Sequence, residues 1–82
     1  MFNFFDEIKN NLVVVEKYNL VNISGQILYV EGHLGLTNLS KENISFRVKG
    51  GRIVVEGENM LLAELSENTM KIVGNIKKVE AF

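Results

Sequence analysis

The 82-residue sequence contains no cysteine, no proline and no tryptophan. The absence of cysteine excludes disulfides, thiolate metal sites and cysteine nucleophiles. It fits a reducing compartment, and it fits a cysteine-free secreted protein equally well. One domain of this length therefore depends on its apolar core for stability. Hydrophobic residues make up 46% of the chain, which is sufficient for such a core.

The sequence also lacks an excess of either charge. Nine basic and ten acidic residues give a formal net charge of −1, whereas a general nucleic-acid-binding domain normally has a basic face. Strictly apolar runs such as Leu12–Val15 span four residues at most, far fewer than the roughly 20 that cross a bilayer. The first residues do not combine a basic patch with a long apolar run, so we expect no secretory signal. We therefore expect a cytoplasmic protein that does not bind nucleic acid and has no transmembrane segment of its own.

Residues 1–16 have the period of a short amphipathic helix, with large apolar residues at helical spacing and polar residues between them. Asn3 is a candidate N-cap, and the β-branched run Val13–Val15 predicts that the helix ends near there. The helix would either cover one end of the fold or dock on a partner. Its polar face has mixed charge, which favours protein over lipid. The candidate docking face comprises Phe2, Phe5, Ile8 and Leu12.

Residues 17–82 have a period of two, which is typical of strands. In the 44–49 segment, the residues Ile44, Phe46 and Val48 alternate with polar ones, so we expect a strand with one buried face. Gly50-Gly51 predicts a two-residue hairpin turn, and the polar segment 66–69 predicts another turn. Further strands are expected at residues 20–24, 26–31, 52–56, 60–65, 70–73 and 75–80.

An internal repeat with an offset of 26 residues relates the two halves of this β region. Leu36, Leu39 and Ser40 match Leu62, Leu65 and Ser66, whereas the two Glu-Gly pairs lie one residue out of register. Two such units are too few for a stable solenoid. The sequence therefore predicts a mainly β fold, a small antiparallel β-sandwich of about seven strands after the N-terminal helix. A short β-roll is the alternative.

Candidate chemistry is sparse. His33 lies in Glu31-Gly-His-Leu-Gly35, between two glycines, so we expect it on a turn. It could act as a metal ligand with Glu31 or as a general base, or its ring could form local packing and hydrogen bonds. One histidine and one carboxylate are too few ligands for zinc. No serine lies in a nucleophile elbow. We therefore expect no enzyme activity, no catalytic residues, no metal and no cofactor.

The order of apolar residues and glycines over residues 18–80 resembles the YabP/YqfC family of sporulation proteins, and the YqfC branch in particular. The matching residues are Val21, Ile23, Gly25, Ile27, Val30, Glu31, His33, Gly35, Ile44, Phe46, Val48, Gly51, Ile53, Gly57, Met70, Ile72, Gly74 and Ile76. The sequence departs from the family pattern at Gly32, where the family usually has asparagine, and in its lack of proline. Glu31, His33 and Gly35 match the most distinctive motif, so we interpret them as a candidate interaction site or structural turn.

The resemblance implies a function without catalysis. The family occurs in endospore-forming Firmicutes, is made in the mother cell and is needed for spore development and for coat or envelope maturation. YqfC-type proteins are encoded beside a membrane protein, YqfD. We therefore expect an interaction or assembly module in the mother-cell cytoplasm, peripheral at the membrane around the forespore, with a YqfD-like partner. The alternatives are a self-assembling structural β protein, which would be a homo-oligomer, and a small-ligand or metal-binding protein centred on His33.

Overall fold

The structure is a computed structural model that describes residues 18–82, and all regular secondary structure in this range is β. The strands are β1 Asn19–Ile23, β2 Ile27–Glu31, β3 Gly35–Leu39, β4 Asn43–Val48, β5 Gly51–Leu65 and β6 Thr69–Ala81. They form one antiparallel sheet in the order β1-β2-β6-β5-β4-β3. The mainly β antiparallel prediction is confirmed, whereas the division into two sheets is not. The predicted helix over residues 1–16 lies outside the described residues.

The number of strands differs from the prediction because β5 and β6 are long. Each of them joins two segments that were expected to be separate strands. The pairing of β5 with β6 shifts register between Glu56 and Gly57 and again between Glu58 and Leu61. These register shifts place extra residues in one strand, while the pairing of β5 with β6 continues on both sides of them. In addition, β3 occupies a segment that was not predicted as a strand.

The sheet is strongly curled. β2 and β3 lie at the second and sixth positions of the sheet order, four strand spacings apart. At about 4.8 Å per spacing, a flat sheet would separate them by about 19 Å. The chain passes from Glu31 to Gly35, and a connection of this length spans at most about 14 Å. The sheet must therefore curl so that β2 and β3 approach each other.

The concave side of the sheet holds one apolar core. Ile44, Phe46 and Val48 are all buried, as the alternation in β4 predicts. Ser45, one of the polar residues that alternate with them, is also buried, and its hydroxyl lies 2.8 Å from Thr37 Oγ1 on the adjacent β3. The other buried apolar residues of the described range are Leu28, Val30, Ile53, Val55, Met60, Met70, Ile72 and Ile76.

Two glycines are needed where backbones approach closely. The β4–β5 turn consists of Lys49 and Gly50, and Gly51 already pairs with Val48, so the predicted Gly50-Gly51 turn is wrong by one residue. A Cβ on Gly51 would overlap the carbonyl oxygen of Phe82, which directly follows β6. At Gly74, where φ is 145°, a Cβ would lie only 2.7 Å from the Met60 Cα.

The 26-residue repeat corresponds to two similar hairpins. One joins β3 to β4 and the other joins β5 to β6. In each turn a serine N–H donates to the carbonyl of the residue three positions later, from Ser40 to Asn43 at 2.9 Å and from Ser66 to Thr69 at 2.8 Å. Each serine hydroxyl also accepts the N–H of that same later residue. The predicted turn at residues 66–69 is thus present, with a counterpart at residues 40–43.

The two hairpins also share a bulge. Register shifts occur between Leu36 and Asn38 in β3 and between Leu62 and Glu64 in β5. These positions are 26 residues apart in the sequence. A bulge at equivalent positions shows that the repeat in the sequence is a repeat of local backbone structure.

Candidate functional site

The three residues that match the distinctive motif lie in the segment that connects β2 to β3. Glu31 is the last residue of β2 and Gly35 is the first residue of β3. His33 lies between them and is 5% exposed. This 31–35 segment connects β2 on one side of the curled sheet to β3 on the other side. The position of the segment therefore determines where β3 begins.

Both ring nitrogens of His33 hydrogen-bond the backbone. The Gly35 N–H donates to Nδ1 at 3.1 Å. Nε2 lies 3.0 Å from the Ser66 carbonyl oxygen and 3.3 Å from that of Thr69. Because Nδ1 accepts, the ring proton is on Nε2, which donates to Ser66. The side chain therefore links the 31–35 segment to the β5–β6 turn.

This geometry does not favour metal binding or general-base chemistry at His33. A ligand or base needs a nitrogen lone pair that faces a metal or a substrate. Here the Nδ1 lone pair faces the Gly35 N–H, and Nε2 faces carbonyl oxygens. Within residues 18–82, no group of three or more His, Cys, Asp or Glu side chains is placed to hold a metal ion.

Glu31 is also buried, with 5% exposure. It lies opposite Asn19 of β1 and Thr69 of β6 in the sheet register, and Asn19 Nδ2 donates to its Oε1 at 3.2 Å. A buried carboxylate is costly unless it is hydrogen-bonded. The carboxylate therefore belongs to the structure of this end of the sheet and is not presented to solvent.

Gly35 has a φ of 136°, a conformation that side chains rarely adopt. A Cβ there would lie 3.4 Å from Arg47 Nη2, because the guanidinium of Arg47 extends over Gly35 and donates to the Leu34 carbonyl at 3.3 Å. Gly35 thus allows the chain to bring its N–H to His33 and leaves room for Arg47.

Each repeat contacts the serine turn of the other repeat. The Gly32 N–H donates to the Asn68 carbonyl at 2.7 Å, and the Gly57 N–H donates to the Glu42 carbonyl at 3.1 Å. Asn68 and Glu42 are equivalent residues at the 26-residue offset, and both glycines belong to Glu-Gly pairs. The Glu-Gly pairs therefore have a common role, which is to bond the opposite turn.

The second contact differs between the repeats. In the second repeat the backbone N–H of Met60 donates to the Lys41 carbonyl at 2.9 Å. In the first repeat the ring of His33 donates to Ser66. The second repeat has one more residue between its Glu-Gly pair and its Leu-x-x-Leu motif, and it includes Asn59 with φ of 52°. A side chain in one repeat thus takes the place of a backbone donor in the other.

Ser66, Asn68 and Thr69 of the β5–β6 turn accept hydrogen bonds from the 31–35 segment. The sequence alone did not connect these turn residues with the motif. The internal repeat was the available sequence signal for these contacts. The Glu-Gly pairs lie one residue out of register, which indicates that the segments after them differ between the two repeats. The candidate docking residues Phe2, Phe5, Ile8 and Leu12 lie outside the described residues.

Comparisons with protein-family models, with curated proteins and with solved structures found no match. The resemblance to the YabP/YqfC family therefore stays a prediction. In the described part of the chain, no helix has the length and apolar character needed to cross a bilayer.

Proposed function

We propose that this protein is a non-enzymatic interaction module of the YabP/YqfC type. It would act in the mother cell during spore development or coat and envelope maturation, with a membrane protein similar to YqfD as its partner. The order of residues over 18–80 supports the family. The hydrogen bonds of His33 support a structural role for the motif, since both ring nitrogens bond the backbone.

The edge strand β3 is one surface that fits a protein partner. In the described part of the chain β3 pairs only with β4. Its sequence, Gly35–Leu39, contains no charged residue and no proline, which are the residues that normally block pairing at a sheet edge. Thr37, Asn38 and Leu39 are exposed. An extended segment of a partner could add to this edge through main-chain hydrogen bonds.

Affinity purification with cross-linking in sporulating cells tests the proposal. We expect recovery of a YqfD-like membrane protein with the wild-type chain and its loss with Leu39→Lys, which places a charge on the edge at a 53% exposed position. Ile23→Lys, at a 45% exposed apolar position of β1 at the other edge, is the matched control. Recovery without any membrane or coat protein, or a source organism that forms no endospores, would contradict the proposal.

Self-assembly is the second candidate, and the same neutral edge favours it. Two copies of β3 could pair antiparallel without repulsion between like charges, in an isologous contact. Sedimentation velocity at increasing protein concentration would reveal this assembly, and Leu39→Lys should shift the equilibrium to monomer. A wild-type chain that remains monomeric at high micromolar concentration would exclude it.

A further inference from the structure

Three cationic residues lie at the turn end of the β4–β5 hairpin. Arg47 and Arg52 are directly opposite each other in the register of β4 and β5. Residues that are directly opposite in an antiparallel pair have side chains on the same face, and like charges in such positions repel. Lys49 is in the turn that follows Arg47. All three residues are exposed.

No side-chain carboxylate of the described residues forms an ion pair with Arg47, Lys49 or Arg52. The ion pairs in residues 18–82 join Lys77 to Glu58 and Lys78 to Glu80. The Arg47 guanidinium instead donates to the Leu34 carbonyl, and the Arg52 guanidinium lies 5.3 Å from the centre of the Phe82 ring. The two guanidiniums thus extend to opposite sides of the hairpin, one toward β3 and one toward Phe82, and together with Lys49 they form a basic surface for an anionic partner.

Large apolar side chains flank the cations on both sides. Leu34, whose N–H donates to the Arg47 carbonyl at 2.7 Å, is 59% exposed. Phe82, which exchanges two backbone hydrogen bonds with Arg52, is 62% exposed. Cations interleaved with exposed leucine and phenylalanine are the composition of surfaces that bind at the interface of an anionic bilayer.

We propose that this hairpin-end cluster, which comprises Leu34, Arg47, Lys49, Arg52 and Phe82, binds the surface of a membrane that contains anionic phospholipids. The cations would contact phosphate groups, and the two apolar side chains would enter the interfacial region. A lipid surface fits better than a nucleic acid, because phosphate contacts alone would leave the exposed apolar side chains without a role. The inference goes beyond the proposed function, since it concerns lipid and needs no protein partner.

Vesicle flotation with the full chain tests the proposal. We expect the protein to float with vesicles of phosphatidylcholine and phosphatidylglycerol in equal parts and not with phosphatidylcholine alone. Each basic residue near such a surface contributes about fivefold to the partition coefficient. The triple variant Arg47→Gln, Lys49→Gln, Arg52→Gln should therefore bind on the order of 100-fold more weakly.

A matched variant separates this cluster from general electrostatic attraction. Lys41→Gln, Lys77→Gln, Lys78→Gln removes the same number of charges from exposed positions outside the cluster. It should reduce binding much less than the first triple variant, and an equal loss would overturn the proposal. Circular dichroism and the thermal midpoint would show that both variants fold.

The apolar pair distinguishes lipid from other anions. Leu34→Ser with Phe82→Ser should weaken vesicle binding severalfold and leave the ionic-strength dependence unchanged, because all three cations remain. Double-stranded DNA and polyglutamate are the competing ligands. If either bound as tightly as anionic vesicles, and the serine variant bound vesicles normally, the assignment to lipid would be wrong.

Discussion

Replacement of His33 by alanine removes the only side chain of the 31–35 segment that bonds the β5–β6 turn in the described structure. The substitution leaves the Gly35 N–H without its Nδ1 acceptor and the Ser66 carbonyl without its Nε2 donor. It also leaves a space where a ring that is 5% exposed was packed. We expect His33→Ala to destabilise the fold substantially.

The magnitude follows from these losses. A hydrogen bond contributes about 1 kcal/mol net, and a buried group left unsatisfied costs about 1–3 kcal/mol. Two bonds and the lost packing of the ring therefore give a decrease of about 3 kcal/mol in the free energy of unfolding. A chain of this length has a total stability of about 4–12 kcal/mol, so the variant should remain folded at low temperature and unfold at a lower urea concentration.

Urea denaturation followed by circular dichroism would measure this decrease, with the transition midpoint as the readout. His33→Asn can keep an acceptor near the Gly35 N–H, and His33→Gln can keep a donor near Ser66, so each should lose about half as much. Proton–nitrogen correlation spectra of the imidazole should show the tautomer with the proton on Nε2. A midpoint of His33→Ala equal to that of the wild type, or the opposite tautomer, would refute the reasoning.

Further substitutions test the rest of the fold through the same denaturation assay. Ile72→Ala, at a fully buried position, should lower the free energy of unfolding by about 2–5 kcal/mol, whereas Leu61→Ala, at a 60% exposed position, should lower it by less than about 0.5 kcal/mol. Equal decreases would contradict the burial of Ile72 in the apolar core. Gly74→Ala should cost about 2 kcal/mol or more, because its Cβ would lie 2.7 Å from a backbone Cα of β5; an unchanged midpoint would contradict that approach. Ser40→Ala and Ser66→Ala should each cost about 1 kcal/mol, and a cost at only one of them would contradict the equivalence of the two turns.

Alternation and turn composition predicted most of the strands. Ile44, Phe46 and Val48 are buried because β4 has partners on both sides and one face toward the core. The predicted breaks inside β5 and β6 were wrong because glycine and asparagine there introduce bulges and close approaches, which the sequence does not distinguish from turns. Gly51 was assigned to a turn for the same reason.

The candidate site was predicted only in part. The local sequence predicts that His33 lies on a turn between two glycines. The one-residue slip in the register of the 26-residue repeat indicated that this segment is irregular. The partners of His33 Nε2 could not be predicted, because they are backbone carbonyls more than thirty residues away in the chain. Carbonyls carry no sequence signal, so only the topology brings Ser66 and Thr69 to the ring. The burial of Glu31 could not be predicted for the same reason, because the sheet topology places this residue between β1 and β6.

The position of His33 also determines how it could affect partner binding. With 5% exposure the ring cannot contribute much contact area to a partner, but it accepts the N–H of Gly35, the first residue of β3. If β3 is the docking edge for the proposed YqfD-like partner, His33→Asn should bind that partner nearly as well as the wild type at temperatures where it is folded, because it can retain this bond. Leu39→Lys should abolish binding while the urea midpoint stays unchanged. A folded His33→Asn variant that lost binding completely would show that the partner contacts the imidazole itself.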